Sequence, residues 1–191
     1  NYEYRWKVFP MNKVTWPFQE KSVWNGERGK RVVLWKEQGI GDQIIFLGLA
    51  REVKDLCETL SVYVDPRLEP LCRRAMPEIN FVKDKEKLKN VEHDYHLPLG
   101  SVPGLIRNDM GDFDRTVKGY LKADPELGEA KRTELNLEGK TAIGISWKSF
   151  NSLNKTKKSI QLRDMERIFS GLDVVLVNLQ YGDVDDEIRE F

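Results

Sequence analysis

The chain has 191 residues, 40% of them hydrophobic, and its 31 Lys+Arg balance its 31 Asp+Glu. That length supports one or two small domains with a real core, and the even charge gives no basic field for nucleic acid or an anionic membrane surface. No apolar run approaches the length of a membrane span and no signal peptide opens the chain, so the expectation is a cytoplasmic protein.

Residues 1–30 carry Tyr2, Tyr4, Trp6, Phe9, Trp16, Phe18 and Trp24 without clear periodicity, broken by Pro10 and Pro17. This predicts an irregular arm that packs by its rings. An aromatic platform for bases or sugars lacks the clustered cations it would need. The chain opens at Asn1 without an initiator Met, as a fragment or processed form would.

From there strands and helices alternate. The pattern predicts a strand over 32–35, a helix over 42–55, a strand over 60–65, a helix over 67–75 and a short strand over 80–82. A polar, Lys-rich stretch over 83–92 leads into the run His93-Asp-Tyr-His-Leu-Pro-Leu, and residues 100–125 read as a long loop with a short helix. Alternation of this kind implies an α/β fold with a mostly parallel sheet. A second unit starts near Gly139, with strands over 141–147 and 174–179, a helix over 162–169 and a last helical turn or two. The expected division is an arm (1–30), a first lobe (31–138) and the start of a second (139–191). Two strands make a poor core, so exposed apolar edges are expected to favour a homo-oligomer.

Cys57 and Cys72 lack metal-ligand spacing and read as buried free thiols in a reducing compartment. His93 and His96 are placed on opposite faces of one strand, with no carboxylate or Cys cluster nearby, so no metal is expected.

The sharpest feature is Trp35-Lys-Glu-Gln-Gly-Ile-Gly-Asp-Gln-Ile-Ile-Phe. An apolar strand stops at Glu37-Gln38, a Gly39-Ile-Gly41 turn follows, and Asp42 opens an apolar helix bearing Ile44, Ile45, Leu47, Leu49, Ala50 and Val53 on one broad face. Ligands bind at the carboxyl ends of strands in open α/β sheets. Asp42 is therefore a candidate for chemistry there, and equally a plain helix cap. A dinucleotide fingerprint is half present: Gly39 and Gly41 fit, and Asp65 resembles the acid that holds a ribose. Ile44 stands where a small residue is needed, and Asp42 puts negative charge where a pyrophosphate would sit. No Gly-Lys-Ser/Thr follows, which excludes a Walker loop.

Further on, Lys148, Ser149, Asn151, Ser152, Asn154, Lys155, Thr156, Lys157 and Lys158 form a cationic, hydroxyl-rich loop after a strand. Such a run is often only a solvated loop. It also has the charge and donors that a departing diphosphate requires.

Five segments in order, the Trp35–Phe46 run, Leu97-Pro-Leu-Gly-Ser-Val-Pro, Ile143-Gly-Ile-Ser-Trp, Lys158-Ser-Ile-Gln-Leu and Val177-Asn-Leu-Gln, resemble the heptosyltransferase-like glycosyltransferases. The likeness is greatest to the version fused behind tetratricopeptide repeats in bacterial proteins, and it covers nearly the whole chain. It implies a GT-B fold of two Rossmann-like lobes, with acceptor mainly on the first and nucleotide sugar mainly on the second. It implies inverting transfer to a glycan or protein hydroxyl without a metal or other cofactor, with the nucleotide sugar as co-substrate. Asp42 would be the general base. Gln38, Gly39, Gly41 and Ser101 would line the acceptor side; Ser146, Lys148 and Lys158 would hold donor phosphate. The family's later donor-binding segment has no counterpart before Phe191, so the second lobe is expected to be incomplete and this chain alone inactive. Glu37 could orient acceptor or brace the turn. The rival expectations are a non-catalytic protein- or glycan-binding module and, disfavoured by Ile44 and Asp42, a dinucleotide-dependent oxidoreductase.

Overall fold

Residues 2–8, 10–115, 119–150 and 158–190 are described by a computed structural model. The chain divides into two units, residues 1–123 and 124–191.

The first unit holds β1 (Ser22–Val23), β2 (Arg31–Trp35), β3 (Thr59–Tyr63), β4 (Asn80–Val82) and β5 (Tyr95–Pro98) in one sheet, ordered β1-β5-β2-β3-β4. Every pairing is parallel. This is the α/β fold with a parallel sheet that the alternating pattern predicts, and it is consistent with the Rossmann-like lobe that the resemblance implies. Strand β2 lies in the middle, and its Val32, Val33 and Leu34 are at most 1% exposed. Burial on both faces is what a run of consecutive apolar residues in a parallel strand requires.

The two faces are covered differently. Side chains alternate along a strand, and Val32 and Leu34 join the main core with Leu47, Val53, Cys72 and Ala75. Those residues come from α1 (Ile40–Leu47), α2 (Ala50–Leu56) and α3 (Glu69–Ala75). Val33 turns to the other face, packing with Val82, Leu88 and Phe18 of the arm. On that face the Trp16 ring lies 5.5 Å from Trp35 and 5.8 Å from His96, centroid to centroid. The aromatic arm thus supplies a second covering layer where doubly wound sheets use helices.

The structure corrects several expectations. The helix over 42–55 is two helices, interrupted at Gly48 and Leu49. Tyr120 donates its hydroxyl to the Ile44 carbonyl at 2.6 Å, the carbonyl that Gly48 N–H would use in a continuous helix. Gly48 N–H turns to Ile45 O instead. Ile45 does not join the apolar face and is 70% exposed. The Lys-rich stretch hides α4 (Lys85–Lys89), capped by Asp84, which accepts Glu86 N–H at 2.8 Å, and anchored by buried Leu88. After β5 come a 3-10 turn (Leu99–Ser101), α5 (Pro103–Ile106) and a second 3-10 segment (Met110–Arg115).

Helix α6 (Pro125–Glu134) opens the second unit, its Asp124 cap accepting Leu127 N–H at 3.1 Å. The sequence pattern did not suggest it, because it buries nothing and so has no apolar stripe. The compact units meet at 123/124, so α6 falls with the second one, whereas the sequence reading began that unit near Gly139. Strands β6 (Thr141–Ile145) and β7 (Val174–Asn178) pair in parallel. Helix α7 (Leu162–Phe169) and the segment leading into α8 (Asp185–Arg189) close a small core of Ile145, Trp147, Leu162 and Val184. Among the described residues, no helix is long and apolar enough to cross a membrane.

Candidate functional site

In the first unit the chain runs outward from β2 through β3 to β4, then returns to place β5 on the other side of β2. The strand order reverses between β2 and β5. In such sheets that crevice, at the strands' carboxyl ends, is where ligands bind. The turn after β2 and the Leu99–Ser101 turn after β5 form its walls.

Asp42 sits in the first turn of α1, three residues after the N-cap position. Gly39 is the N-cap and no side chain caps the helix. The Asp42 carboxylate is half-buried, and among the described residues it has no hydrogen-bond or ion-pair partner. The expected capping role is therefore absent. Glycine at 39 makes room for it, since a Cβ there would lie 3.3 Å from Asp42 Oδ2. A Cβ on Gly41 would meet nothing within 4 Å, so the backbone beside Asp42 is open. Gln43, which the sequence reading passed over, fixes this turn. It is 3% exposed; its amide donates to Gln38 O at 3.1 Å and its Oε1 accepts Asp65 N–H at 2.8 Å.

Glu37 is the second such brace. Its Oε1 accepts Gly100 N–H at 3.0 Å, tying the β2 turn to the β5 turn. The same oxygen pairs with the Arg5 guanidinium at 3.0 Å, both side chains being deeply buried (2% and 7% exposed). Burial pushes the Glu37 carboxyl above its usual range, against the pull of Arg5 and the Gly100 amide. Arg5 belongs to a 3-10 segment, Tyr2–Lys7, that lies over the crevice. It donates to Ser101 Oγ at 2.8 Å and to Glu3 Oε1 at 2.7 Å. Ser101 in turn donates to Glu3 Oε2 at 3.1 Å. Gln38 holds the Tyr2 hydroxyl through both ends of its amide, at 2.9 and 2.6 Å. Two of the expected acceptor-side residues, Gln38 and Ser101, are thus engaged by the arm; Gly39 lies against the Asp42 carboxylate, and Gly41 remains open. No periodicity links Arg5 to Glu37, and only the arm's density of rings pointed to its packing role.

Asp65 and the two histidines are engaged within the protein. Asp65 is engaged by Arg67 at 2.9 Å, with Lys36 3.8 Å away, and Arg67 holds its carboxyl well below the usual range. His93 precedes β5 rather than lying on it, so the two histidines do not face apart; both rings lie against Phe18, at 4.5 and 5.5 Å. His96 is not on the crevice: it is 1% exposed, and its Nδ1 accepts Trp35 Nε1–H at 3.0 Å. Among the described residues no group of His, Cys, Asp and Glu converges as metal ligands would.

In the second unit, Ser146, Lys148 and Lys158 line one shallow cavity of about 420 Å³, together with Trp147, Ser149, Ile160 and Tyr181. The three residues expected to hold phosphate are thus neighbours. Gln180 shapes this wall: its Oε1 accepts Trp147 N–H and Lys148 N–H at 2.9 Å each and the Ser146 hydroxyl at 3.1 Å. Lys148 is paired with Glu187, which also accepts Trp147 Nε1–H at 2.7 Å. Lys158 has no ion-pair partner among the described residues. Asn151, Ser152, Asn154, Lys155, Thr156 and Lys157 of the cationic loop lie outside the described residues.

The chain is similar to "Protein FlbA" of Caulobacter vibrioides, 26% identical over 185 residues. The match takes in 86% of this chain and 31% of that protein, so the chain spans about a third of its relative's length. No family model and no solved structure matches.

Proposed function

We propose that the chain is part of an inverting, GT-B-type glycosyltransferase of the heptosyltransferase-like kind, working in the cytoplasm and joined to tetratricopeptide repeats. The observation that carries this reading is the Asp42 carboxylate at the carboxyl end of the central strand, without a partner among the described residues. An acceptor hydroxyl oxygen bonds to the anomeric carbon as that carbon's bond to the phosphate oxygen breaks. The hydroxyl becomes acidic only late in that step, and an ordinary carboxylate in reach can take its proton. Asp42 has no competing partner among the described residues, and the open backbone at Gly41 leaves room for an acceptor beside it. Lys158 and the hydroxyl of Ser146 supply charge and donors for the leaving diphosphate. The nucleotide sugar is a co-substrate in this scheme, and the acceptor is a glycan or protein hydroxyl.

Two measurements test the reading. Calorimetric titration of UDP, GDP and ADP against the longest obtainable form of the protein should show binding of one nucleotide. In that same form, Asp42→Asn should abolish sugar transfer with little change in thermal stability. Turnover retained by the Asn variant removes Asp42 as the base. A second reading, a non-catalytic binding module, draws on two observations: the arm engages Gln38 and Ser101, and Glu187 already pairs Lys148. Absence of nucleotide binding in the long form favours that module.

A further inference from the structure

The crevice between β2 and β5 already has an occupant. Of the whole segment Tyr2–Lys7, only Arg5 is buried. Its guanidinium reaches Glu37 Oε1 at 3.0 Å and Ser101 Oγ at 2.8 Å, and lies 4.6 Å from the centre of the Tyr2 ring and 4.5 Å from that of Trp6. Glu37 and Ser101 belong to the crevice wall; Glu3, Tyr2 and Trp6 come from the arm itself. A buried carboxylate and a hydroxyl, held by the two turns at the point of strand reversal, are what a guanidinium needs for charge-assisted hydrogen bonds.

We propose that this crevice is a guanidinium-binding site closed in cis by Arg5, so that Tyr2–Lys7 acts as a displaceable plug. The chemical class that can open it is a ligand presenting a guanidinium to Glu37 and Ser101, such as an arginine side chain of a partner polypeptide. The inference rests on sheet topology and the Arg5 contacts, and stands whether or not the protein transfers sugars.

The Arg5–Glu37 ion pair adds little to the hold on the plug, for a physical reason. A buried ion pair gains little net free energy, because the loss of hydration of both charges offsets their attraction. Here the Arg5 Nε is buried without a partner among the described residues, and burial of Glu37 outweighs the stabilising pull of Arg5 on its carboxylate. Tyr4 is 63% exposed, and Tyr2, 48% exposed, has its ring 5.6 Å from that of Phe46. The Trp6 ring, 5.0 Å from Trp16 and 6.1 Å from Trp35, is a further apolar tether. Glycine at position 100 completes the fit. A Cβ there would lie 2.5 Å from Glu37 Oε1, 3.0 Å from the Tyr2 ring and 3.3 Å from the Arg5 guanidinium.

The test uses the full chain as wild type, Arg5→Ala, Gly100→Ala and the double variant Arg5→Ala/Glu37→Gln. Amide exchange should speed up at least about tenfold over residues 2–8 in Arg5→Ala and in Gly100→Ala, with β2 and β5 unchanged. Methylguanidinium titrated into Arg5→Ala should bind saturably in the millimolar range, and should not do so in wild type or in the double variant. Exchange over residues 2–8 that stays at the wild-type rate in both single variants overturns the proposal, since rings then hold the arm as a fixed wall. Faster exchange that spreads into β2 and β5 also overturns it, because the arm is then part of the core. Equal, unsaturable methylguanidinium binding in all forms removes the site itself. Should Arg5→Ala fail to fold, Gly100→Ala, which alters no charge, carries the exchange test.

Discussion

Gln180→Leu isolates the side-chain brace that shapes the proposed phosphate wall. The change keeps most of the side-chain volume but removes one acceptor oxygen. That oxygen takes Trp147 N–H and Lys148 N–H at 2.9 Å each. It also takes the Ser146 hydroxyl, at 3.1 Å. A buried donor left without an acceptor costs about 1–3 kcal/mol. Trp147 is 3% exposed, so its amide bears the full cost, while the half-buried Lys148 amide can recover part of it from water. The hydroxyl of exposed Ser146 can rotate to solvent and adds little. The sum is about 2–4 kcal/mol of local stability, equivalent to roughly a 30-fold to 1,000-fold rise in local opening. Native-state amide exchange at Trp147 and Lys148 reads this directly, with the β2 and β3 amides as an internal control in the other unit. Gln180→Glu keeps the acceptor but loses the amide donation to Tyr181 O, 2.9 Å in the parent, and should fall between wild type and the Leu variant. Exchange at Trp147 within about threefold of wild type in Gln180→Leu would refute the reasoning, because the two amides would then not depend on this oxygen.

Two further outcomes are expected in the first unit. Burial lowers the pKa of His96, so the native state resists the proton that the unfolded chain accepts near pH 6.5. Its contribution is therefore complete above about pH 6.5 and is lost as pH falls through that value toward the folded pKa; the urea midpoint followed by tryptophan fluorescence should drop from pH 7.5 to 5.5, and His96→Leu should flatten that slope. Gly41→Ala adds a methyl where nothing lies within 4 Å, so it should raise stability by up to about 1 kcal/mol through helix propensity; a longer form of the protein that gains stability yet loses transfer would mark Gly41 as the place where acceptor meets backbone.

The same device recurs in both units. A side-chain oxygen at a strand's carboxyl end accepts backbone amides from the neighbouring strand's turn: Glu37 takes Gly100 N–H, and Gln180 takes Trp147 and Lys148 N–H. Gln43 does the same from α1 to the end of β3. Each brace fixes a turn that carries candidate chemistry, namely Gly39-Ile-Gly41-Asp42 in the first unit and Ser146–Lys148 in the second. Loop backbone near a ligand site must be satisfied by something other than the sheet ladder, and these buried carbonyl and carboxylate oxygens satisfy it.

Local pattern was enough to find the parallel α/β architecture, the strand–turn–helix carrying Asp42, and the loop where Ser146, Lys148 and Lys158 meet. Those features are written in residues within a few positions of one another: consecutive apolar residues for a strand buried on both faces, glycines at a turn, and helical spacing after it. Tertiary structure alone decided the rest. Arg5 and Ser101 are 96 residues apart when they meet, and Tyr120 breaks a helix 76 residues upstream by taking one carbonyl. Such contacts have no period and leave no local trace, because a buried polar group needs only one partner from anywhere in the chain. Helix α6, with no buried side chain, lacked the amphipathic stripe by which helices are read. Asp42 shows both halves of the problem: its position followed from the turn, whereas its lack of a partner among the described residues followed only from where their other donors went.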